Sequence, residues 1–120
     1  MEEMNLRNYA YIGDAVWELH IRAKTIRQTS NAQKLHKITT SKVKAAFQAE
    51  LLHYMEEILT EEEQELARRG RNLPIPIGRR ANQAEYRQAT AFEVLIGWWH
   101  LENPTRLEEI LQKLDEVIKF

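Results

Sequence analysis

Apolar residues recur at steps of three and four positions along almost the whole of this 120-residue chain. That spacing places them on one face of an α-helix, and the alternation typical of a half-buried strand is nearly absent. The chain is long enough to bury one modest hydrophobic core. We therefore expect an all-α protein, a single domain over residues 1–120 that contains six to seven helices.

The first helix is predicted over residues 9–27. Its expected buried stripe consists of Tyr9, Ile12, Val16, Leu19, Ala23 and Ile26. Residues 29–31 (TSN) interrupt this pattern and supply cap residues for a short second helix that ends near Lys37. Residues 39–41 (TTS) then predict the start of a long third helix. Its apolar stripe is Val43, Phe47, Leu51, Tyr54 and Ile58.

Thr60 and Glu63 match a capping box, which predicts the start of the next helix, and Gly70 should end that helix. Residues 72–78 (NLPIPIG) predict a loop, because each proline removes a backbone donor and restricts the residue before it. Helix should resume over residues 83–101, and Pro104 or Thr105 should begin a final helix.

Two acidic residues lie inside apolar helical segments. Asp14 lies in residues 11–16 (YIGDAV), and Glu93 lies in residues 90–97 (TAFEVLIG). A carboxylate buried without a partner is strongly destabilising, so each acid needs a partner. One cation between them would serve both, and Mg²⁺ prefers such oxygen ligands. Spacing alone leaves Asp14 open between a metal ligand and a helix-start or hydrogen-bonded residue.

The neighbours of these acids are also informative. Glu18 lies one turn after Asp14 on the same face, and the favoured interpretation is a salt bridge with Arg22. Gly13 and Gly97 lie within the helices that carry the acids, where glycine costs about 1 kcal/mol relative to alanine. Close backbone approach is the usual compensation. We expect these two helices to pack tightly against each other or against a partner chain.

Positive charge is concentrated in residues 66–87, which hold six arginines and one glutamate, a net charge of +5 in a chain whose total is −1. The arginines are Arg68, Arg69, Arg71, Arg79, Arg80 and Arg87. Arginine is suited to bidentate phosphate contacts. The cluster therefore favours a nucleic-acid groove, and a solvated loop with incidental arginines is the alternative.

The amino-acid composition indicates the kind of compartment in which the protein works. The chain has no cysteine, which excludes disulfides and thiolate zinc sites and favours a reducing compartment. Its acidic first residues lack the layout of a signal peptide, and no apolar run approaches the ~20 residues that a membrane span needs. We expect a cytoplasmic protein without a membrane partner.

The histidines and tryptophans each allow a functional and a structural interpretation. The histidines are His20, His36, His53 and His100. Each lies singly on a helical pattern, so structural roles are favoured over an acid–base pair. The tryptophans are Trp17, Trp98 and Trp99. Their helical positions favour the core or an interface over a platform for stacking bases.

With residues 11–16 (YIGDAV) and 91–97 (AFEVLIG), the chain resembles the catalytic domain of the ribonuclease III family. It is most similar to the short form, mini-ribonuclease III, which lacks a double-stranded-RNA-binding domain. The resemblance covers nearly the whole chain and includes residues 42–49 (KVKAAFQA) and 68–72 (RRGRN). The two motifs stand in the family's order, with the basic segment between them.

The resemblance implies a homodimeric endoribonuclease that uses Mg²⁺, with Mn²⁺ as a substitute, to cleave double-stranded RNA into 5′-phosphate and 3′-hydroxyl ends. For the short form it implies maturation of the large-subunit (23S) ribosomal RNA precursor. Asp14 and Glu93 would be the catalytic and metal-binding residues. The RNA-binding residues would be Arg68, Arg69, Arg71, Asn72, Arg79 and Arg80.

The chain departs from the full-length enzymes of this family at three positions. Their first motif has glutamates seven and four residues before the aspartate, where this chain has Arg7 and Ala10. Their second motif has an aspartate where this chain has Thr90. The missing acids keep open a non-catalytic module of the same fold that binds ribosomal RNA. The two apolar, glycine-containing helices keep open a small helical adaptor that only dimerises.

Overall fold

The computed structural model describes residues 4–76 and 82–120. These residues form six α-helices and one 3₁₀ turn, without a strand, which confirms the all-α prediction. The helices are α1 (Leu6–Thr25), α2 (Ala32–Val43), α3 (Ala45–Met55), α4 (Glu61–Arg71), α5 (Gln83–Glu102) and α6 (Pro104–Val117), and the 3₁₀ turn is Glu56–Ile58. Within this part of the chain no helix is long and apolar enough to cross a membrane.

Helix α5 is the centre of the fold. It packs against α1, α3, α4 and α6. From Ala89 to Gly97 every residue of α5 except Glu93 is buried. A helix that is apolar on nearly all sides is stable only when other helices surround it. Glu93 is therefore the half-buried, acidic exception in a segment of α5 that other helices enclose.

Helices α1 and α5 meet at two glycines. A Cβ atom on Gly13 would overlap the carbonyl oxygen of Glu93 and lie 2.9 Å from the backbone nitrogen of Gly97. A Cβ atom on Gly97 would overlap the carbonyl oxygen of Tyr9. The expectation that these glycines permit close backbone approach is confirmed, and the two helices pack against each other.

The predicted buried stripe of α1 is wrong in part. The buried face is the row Leu6, Tyr9, Gly13, Trp17, Ile21 and Thr25. Leu19 and Ile26, which the apolar pattern placed inside, are 68% and 59% exposed. The contact at Gly13 explains the difference, because it turns the glycine-containing row toward α5 and the larger aliphatic residues outward.

The predicted boundary between the second and third helices is also wrong. Asn31 caps α2 as expected, since its Oδ1 accepts a hydrogen bond from the Lys34 backbone. Helix α2 then continues past residues 39–41, where Thr39 is buried and the Ser41 hydroxyl donates to the Ile38 carbonyl within the helix. The break comes at Lys44, whose backbone is extended.

A buried acid joins α4, α5 and α6. The capping box is confirmed, with Thr60 and Glu63 bonded reciprocally. The Glu63 carboxylate also accepts hydrogen bonds from Trp99 at 2.8 Å and from two nitrogens of Arg106 at 2.9 Å. Burial disfavours this carboxylate, but the bonds from Arg106, Thr60 and Trp99 outweigh burial and lower the pKa of Glu63 below its usual value.

We expect Gly13→Ala and Gly97→Ala each to lower the free energy of unfolding by about 3 kcal/mol, because the added methyl group meets rigid backbone. Urea denaturation measures the loss. Ala15→Gly, at an exposed position of α1, is the matched control and should cost only about 1 kcal/mol of helix propensity. Stabilisation by Gly13→Ala would show that the backbones are not in contact.

Candidate active site

Close packing of α1 and α5 brings Asp14 and Glu93 together. Asp14 follows Gly13 on α1, and Gly13 faces the backbone of Glu93 on α5. The two carboxyl groups line the same cleft and lie close enough for Asp14 to raise the pKa of Glu93. Asp14 is exposed and Glu93 is half-buried. The acids are 79 positions apart in the sequence, and the fold makes them neighbours.

The acid pair opens into a cleft with a volume of about 340 Å³. We call this the acid cleft, and its lining residues are Arg7, Ala10, Tyr11, Asp14, Tyr86, Thr90 and Glu93. The Thr90 hydroxyl donates to the Tyr86 carbonyl at 2.9 Å within α5. Ala10 has no polar side chain. Positions 10 and 90 therefore add no carboxylate to the cleft.

The environment of Glu93 favours its protonated form. Burial, followed by the hydrogen bond and charge of Asp14, raises the pKa of Glu93 to about 9. The amide of Gln48 opposes this rise. Glu93 therefore keeps its proton at neutral pH unless a bound cation favours its ionised form.

Gln48 is a site residue that the sequence analysis did not assign. It is only 2% exposed on α3, and its Nε2 atom makes no hydrogen bond of normal geometry with the residues that the structure describes. The available signal was its spacing, because Gln48, Leu51, Leu52 and Met55 form the buried face of α3. A glutamine in such a row indicates a polar group to be satisfied inside the fold.

The donor set fits a divalent cation with few protein ligands. Across residues 4–76 and 82–120 no cluster of three or more histidine, cysteine or acidic residues could hold a metal. Two carboxylates on rigid helices remain, and Mg²⁺ is commonly held by one or two carboxylates with water and substrate phosphate completing its shell. A cation would also relieve the repulsion that raises the pKa of Glu93.

Some of the predicted RNA-binding residues also lie together. Arg68, Arg69 and Asn72 line an open hollow of about 510 Å³ beside the start of α1, which we call the arginine hollow. Its other lining residues are Met4, Asn5, Leu6 and Leu73. Arg68 is bonded to Glu65 on its own helix at 2.9 Å and 2.5 Å. Both residues of this ion pair are exposed.

The remaining arginines are placed differently. Arg71 is half-buried, and its carbonyl accepts a hydrogen bond from Arg87 at 2.8 Å. Arg79 and Arg80 lie outside the described residues. The structure therefore brings three of the six candidate RNA-binding residues into one surface.

Other polar residues have structural partners. Glu18 pairs with Arg22 at 3.5 Å, which agrees with the favoured interpretation. His20 pairs with Asp115 at 2.7 Å and stacks on Trp17. Trp17 and Trp99 are buried, as expected for core residues. These contacts leave the two acids as the chemically distinctive pair of the acid cleft.

The ribonuclease III domain model matches residues 7–104, which include both acids and the whole acid cleft. The chain belongs to the ribonuclease III family, a family of endoribonucleases. Its relatives include a mini-ribonuclease 3 from Gloeobacter violaceus, 42% identical over 97% of this chain and 86% of the relative. Another, from Desulfitobacterium hafniense, is 36% identical over 99% of this chain and 75% of the relative.

A solved structure is also similar. A crystal structure of a protein from Fusobacterium nucleatum has a TM-score of 0.82 and 28% identity, and the match covers 96% of this chain and 94% of that chain. The family resemblance and the fold class inferred from the sequence are thereby confirmed.

Without divalent cations, stability should fall as pH rises. The folded state keeps a proton on Glu93 up to a pKa of about 9, whereas the unfolded state releases it near 4.5. Between these values rising pH favours unfolding, by at most about 1.4 kcal/mol per pH unit. Glu93→Gln should remove this contribution. Urea denaturation from pH 5 to 9 in the presence of a chelator measures how the free energy of unfolding changes with pH in the wild type and in Glu93→Gln.

The matched control for this prediction is Glu108→Gln, which changes an exposed glutamate on α6. Its free energy of unfolding should change with pH as that of the wild type does. Equal slopes in wild type and Glu93→Gln would show that the pKa of Glu93 is not raised in the folded state.

Proposed function

We propose that this chain is a Mg²⁺-dependent endoribonuclease that cleaves double-stranded RNA, with Asp14 and Glu93 as its catalytic, metal-binding residues. The observation that carries the proposal is the pairing of two carboxyl groups from α1 and α5 in an open cleft, where burial and mutual repulsion raise the pKa of Glu93. Mn²⁺, a divalent cation with similar oxygen-ligand preference, would substitute.

When bound between Asp14 and Glu93, the divalent cation supplies a water of lowered pKa and stabilises negative charge on the scissile phosphate. The chain's own residues hold this geometry. Asp14 presents its carboxylate at the open face of the cleft, and Glu93 is held by the central helix with the Gln48 amide beside it. Rigid helical placement keeps both oxygens in position for the reaction.

The proposed reaction is hydrolysis of a phosphodiester. A water oxygen forms a bond to phosphorus, and the bond between phosphorus and the 3′ oxygen breaks. The water proton is released to solvent, and the leaving 3′ oxygen takes up a proton to become a hydroxyl. The products are a 5′-phosphate end and a 3′-hydroxyl end.

We further propose a homodimer, in which each subunit cuts one strand of the duplex. The outward face of α1 supports it. Tyr11 is 83% exposed beside the acid cleft, and Leu19 and Ile26 continue this apolar face along the helix. A second copy of the chain would cover these residues and place two clefts on one duplex.

The proposed grip on RNA is the arginine hollow, with Arg68, Arg69 and Asn72, extended by Arg71, Arg79 and Arg80. Contacts with phosphates would favour duplex shape over sequence.

The proposed substrate is a duplex in the large-subunit (23S) ribosomal RNA precursor, and the proposed location is the cytoplasm. The similarity to proteins named mini-ribonuclease 3 supports a ribonuclease activity.

One observation favours a second candidate, a ribosomal-RNA-binding module without catalysis. Within the described residues the site contains two carboxylates and no third metal-binding residue. Such a module would bind duplex RNA and leave it intact with or without Mg²⁺. Cleavage assays separate the two candidates directly.

Asp14→Asn and Glu93→Gln should each lower the rate of Mg²⁺-dependent duplex cleavage at least ~100-fold, because each removes one of the two charged ligands. Binding of uncleaved RNA should remain within about threefold, since these acids do not attract phosphate. A long RNA duplex on a denaturing gel reports cleavage, and a filter assay in chelator reports binding.

The control is Glu18→Gln, which removes an acid one turn along the same helix and should leave cleavage unchanged. Mixed dimers with one Asp14→Asn subunit should nick a single strand, as expected for one active site per strand. Full activity of either site variant would refute the assignment of the acid pair.

Replacing Arg68, Arg69, Arg79 and Arg80 with glutamine should flatten the salt dependence of duplex binding. For every arginine–phosphate interaction that the substitutions remove, the log–log slope should become shallower by about 0.9, by analogy with duplex DNA. Titration of an Asp14→Asn protein from low to high salt avoids cleavage during the measurement.

A control with the same charge change replaces Arg22, Arg27, Lys34 and Lys113, exposed cations on other surfaces. Its salt slope should match that of the parent protein. If both quadruple variants have the parent slope, the hollow and its loop are not the RNA grip.

A further inference from the structure

Arg7 is a cation in a cleft that is otherwise built around two acids. It lies in the first turn of α1 and lines the acid cleft together with Asp14 and Glu93. No other cationic side chain lines the described part of the cleft.

The hydrogen bonds of Arg7 leave most of its guanidinium available. One nitrogen donates to the carbonyl of Pro74, which ties the start of the proline-containing segment to α1. No carboxylate among the described residues forms an ion pair with Arg7, although acids elsewhere on the surface pair with their arginines. A guanidinium has five N–H donors, so donors remain for an anionic ligand.

Arg7 also lies between the arginine hollow and the acid cleft. Leu6 lines the arginine hollow with Arg68 and Arg69, whereas Arg7, the next residue, lines the acid cleft. The first turn of α1 is thus the boundary between the proposed RNA grip and the proposed site of cleavage. A strand that passes from one to the other meets Arg7 before it reaches the acids.

We propose that Arg7 is a positioning residue that binds a phosphate of the RNA strand at the entrance to the acid cleft. A bidentate guanidinium–phosphate contact would fix the register of the strand at the cleft. This inference rests on the proposed function of the same site.

The test compares Arg7→Gln, Arg7→Lys and Arg7→Glu by steady-state cleavage of a short RNA duplex. Arg7→Gln should raise KM about tenfold, with kcat within about threefold, as expected when a charged hydrogen bond to substrate is removed. Arg7→Lys should recover part of this effect, because it restores the charge without the bidentate contact. Arg7→Glu should raise KM further than Arg7→Gln.

Salt dependence separates phosphate binding from a structural role. In an Asp14→Asn background, Arg7→Gln should reduce the slope of duplex binding by about 0.9 and Arg7→Lys should restore it. If Arg7 only fastens Pro74, Arg7→Gln would lower Tm and leave the slope at the parent value, which would overturn the inference. Arg22→Gln, at an exposed arginine farther along α1, is the charge-matched control with an unchanged slope.

The outcomes also distinguish this inference from the proposed function. Wild-type protein that never cleaves duplex RNA refutes the function, and the binding slopes still decide whether Arg7 contacts phosphate. Wild-type protein that cleaves normally, with an Arg7→Gln variant of unchanged KM and slope, refutes only the role of Arg7.

Discussion

The backbone contact between α1 and α5 is the constraint on which the rest of the molecule depends. Gly13 and Gly97 each leave room for a carbonyl oxygen of the opposite helix, and Asp14 and Glu93 lie beside that contact. Larger side chains would hold the helices apart and separate the two acids with them. Each glycine weakens its helix by about 1 kcal/mol, so the contact must supply enough packing to offset this loss.

Two glutamates, one buried and one half-buried, differ in the groups that surround them. Glu63 has Arg106, Trp99 and a backbone amide as donors, and its pKa is lowered. Glu93 faces another acid and one amide, and its pKa is raised to about 9. The first acid is fully compensated within the fold and stabilises it. The second keeps its proton at neutral pH, and a bound metal ion would favour its ionised form, which is the behaviour expected of a metal ligand.

Local signals predicted several helix boundaries, although the cap residues at 39–41 did not begin a helix. Caps at Asn31 and Thr60 and the proline-containing segment located helix starts and a break, because these depend on nearby hydrogen bonds and backbone angles. The buried face of α1 depends instead on a glycine contact with a distant helix, so the apolar pattern misplaced Leu19 and Ile26. The partnership of Gln48 with Glu93 likewise requires the packed structure.

The charge distribution explains why contacts at the edge of the acid cleft matter more than the field of the whole chain. The net charge of −1 gives no general attraction for RNA, and screening limits exposed charges to about 8 Å at physiological ionic strength. Under the proposed function, arginines in the hollow would act by contact and would hold only the strand that touches them. Asp14 and Glu93 attract no phosphate unless a cation is bound between them. Arg7, one residue beyond the hollow, places a positive charge between these two surfaces.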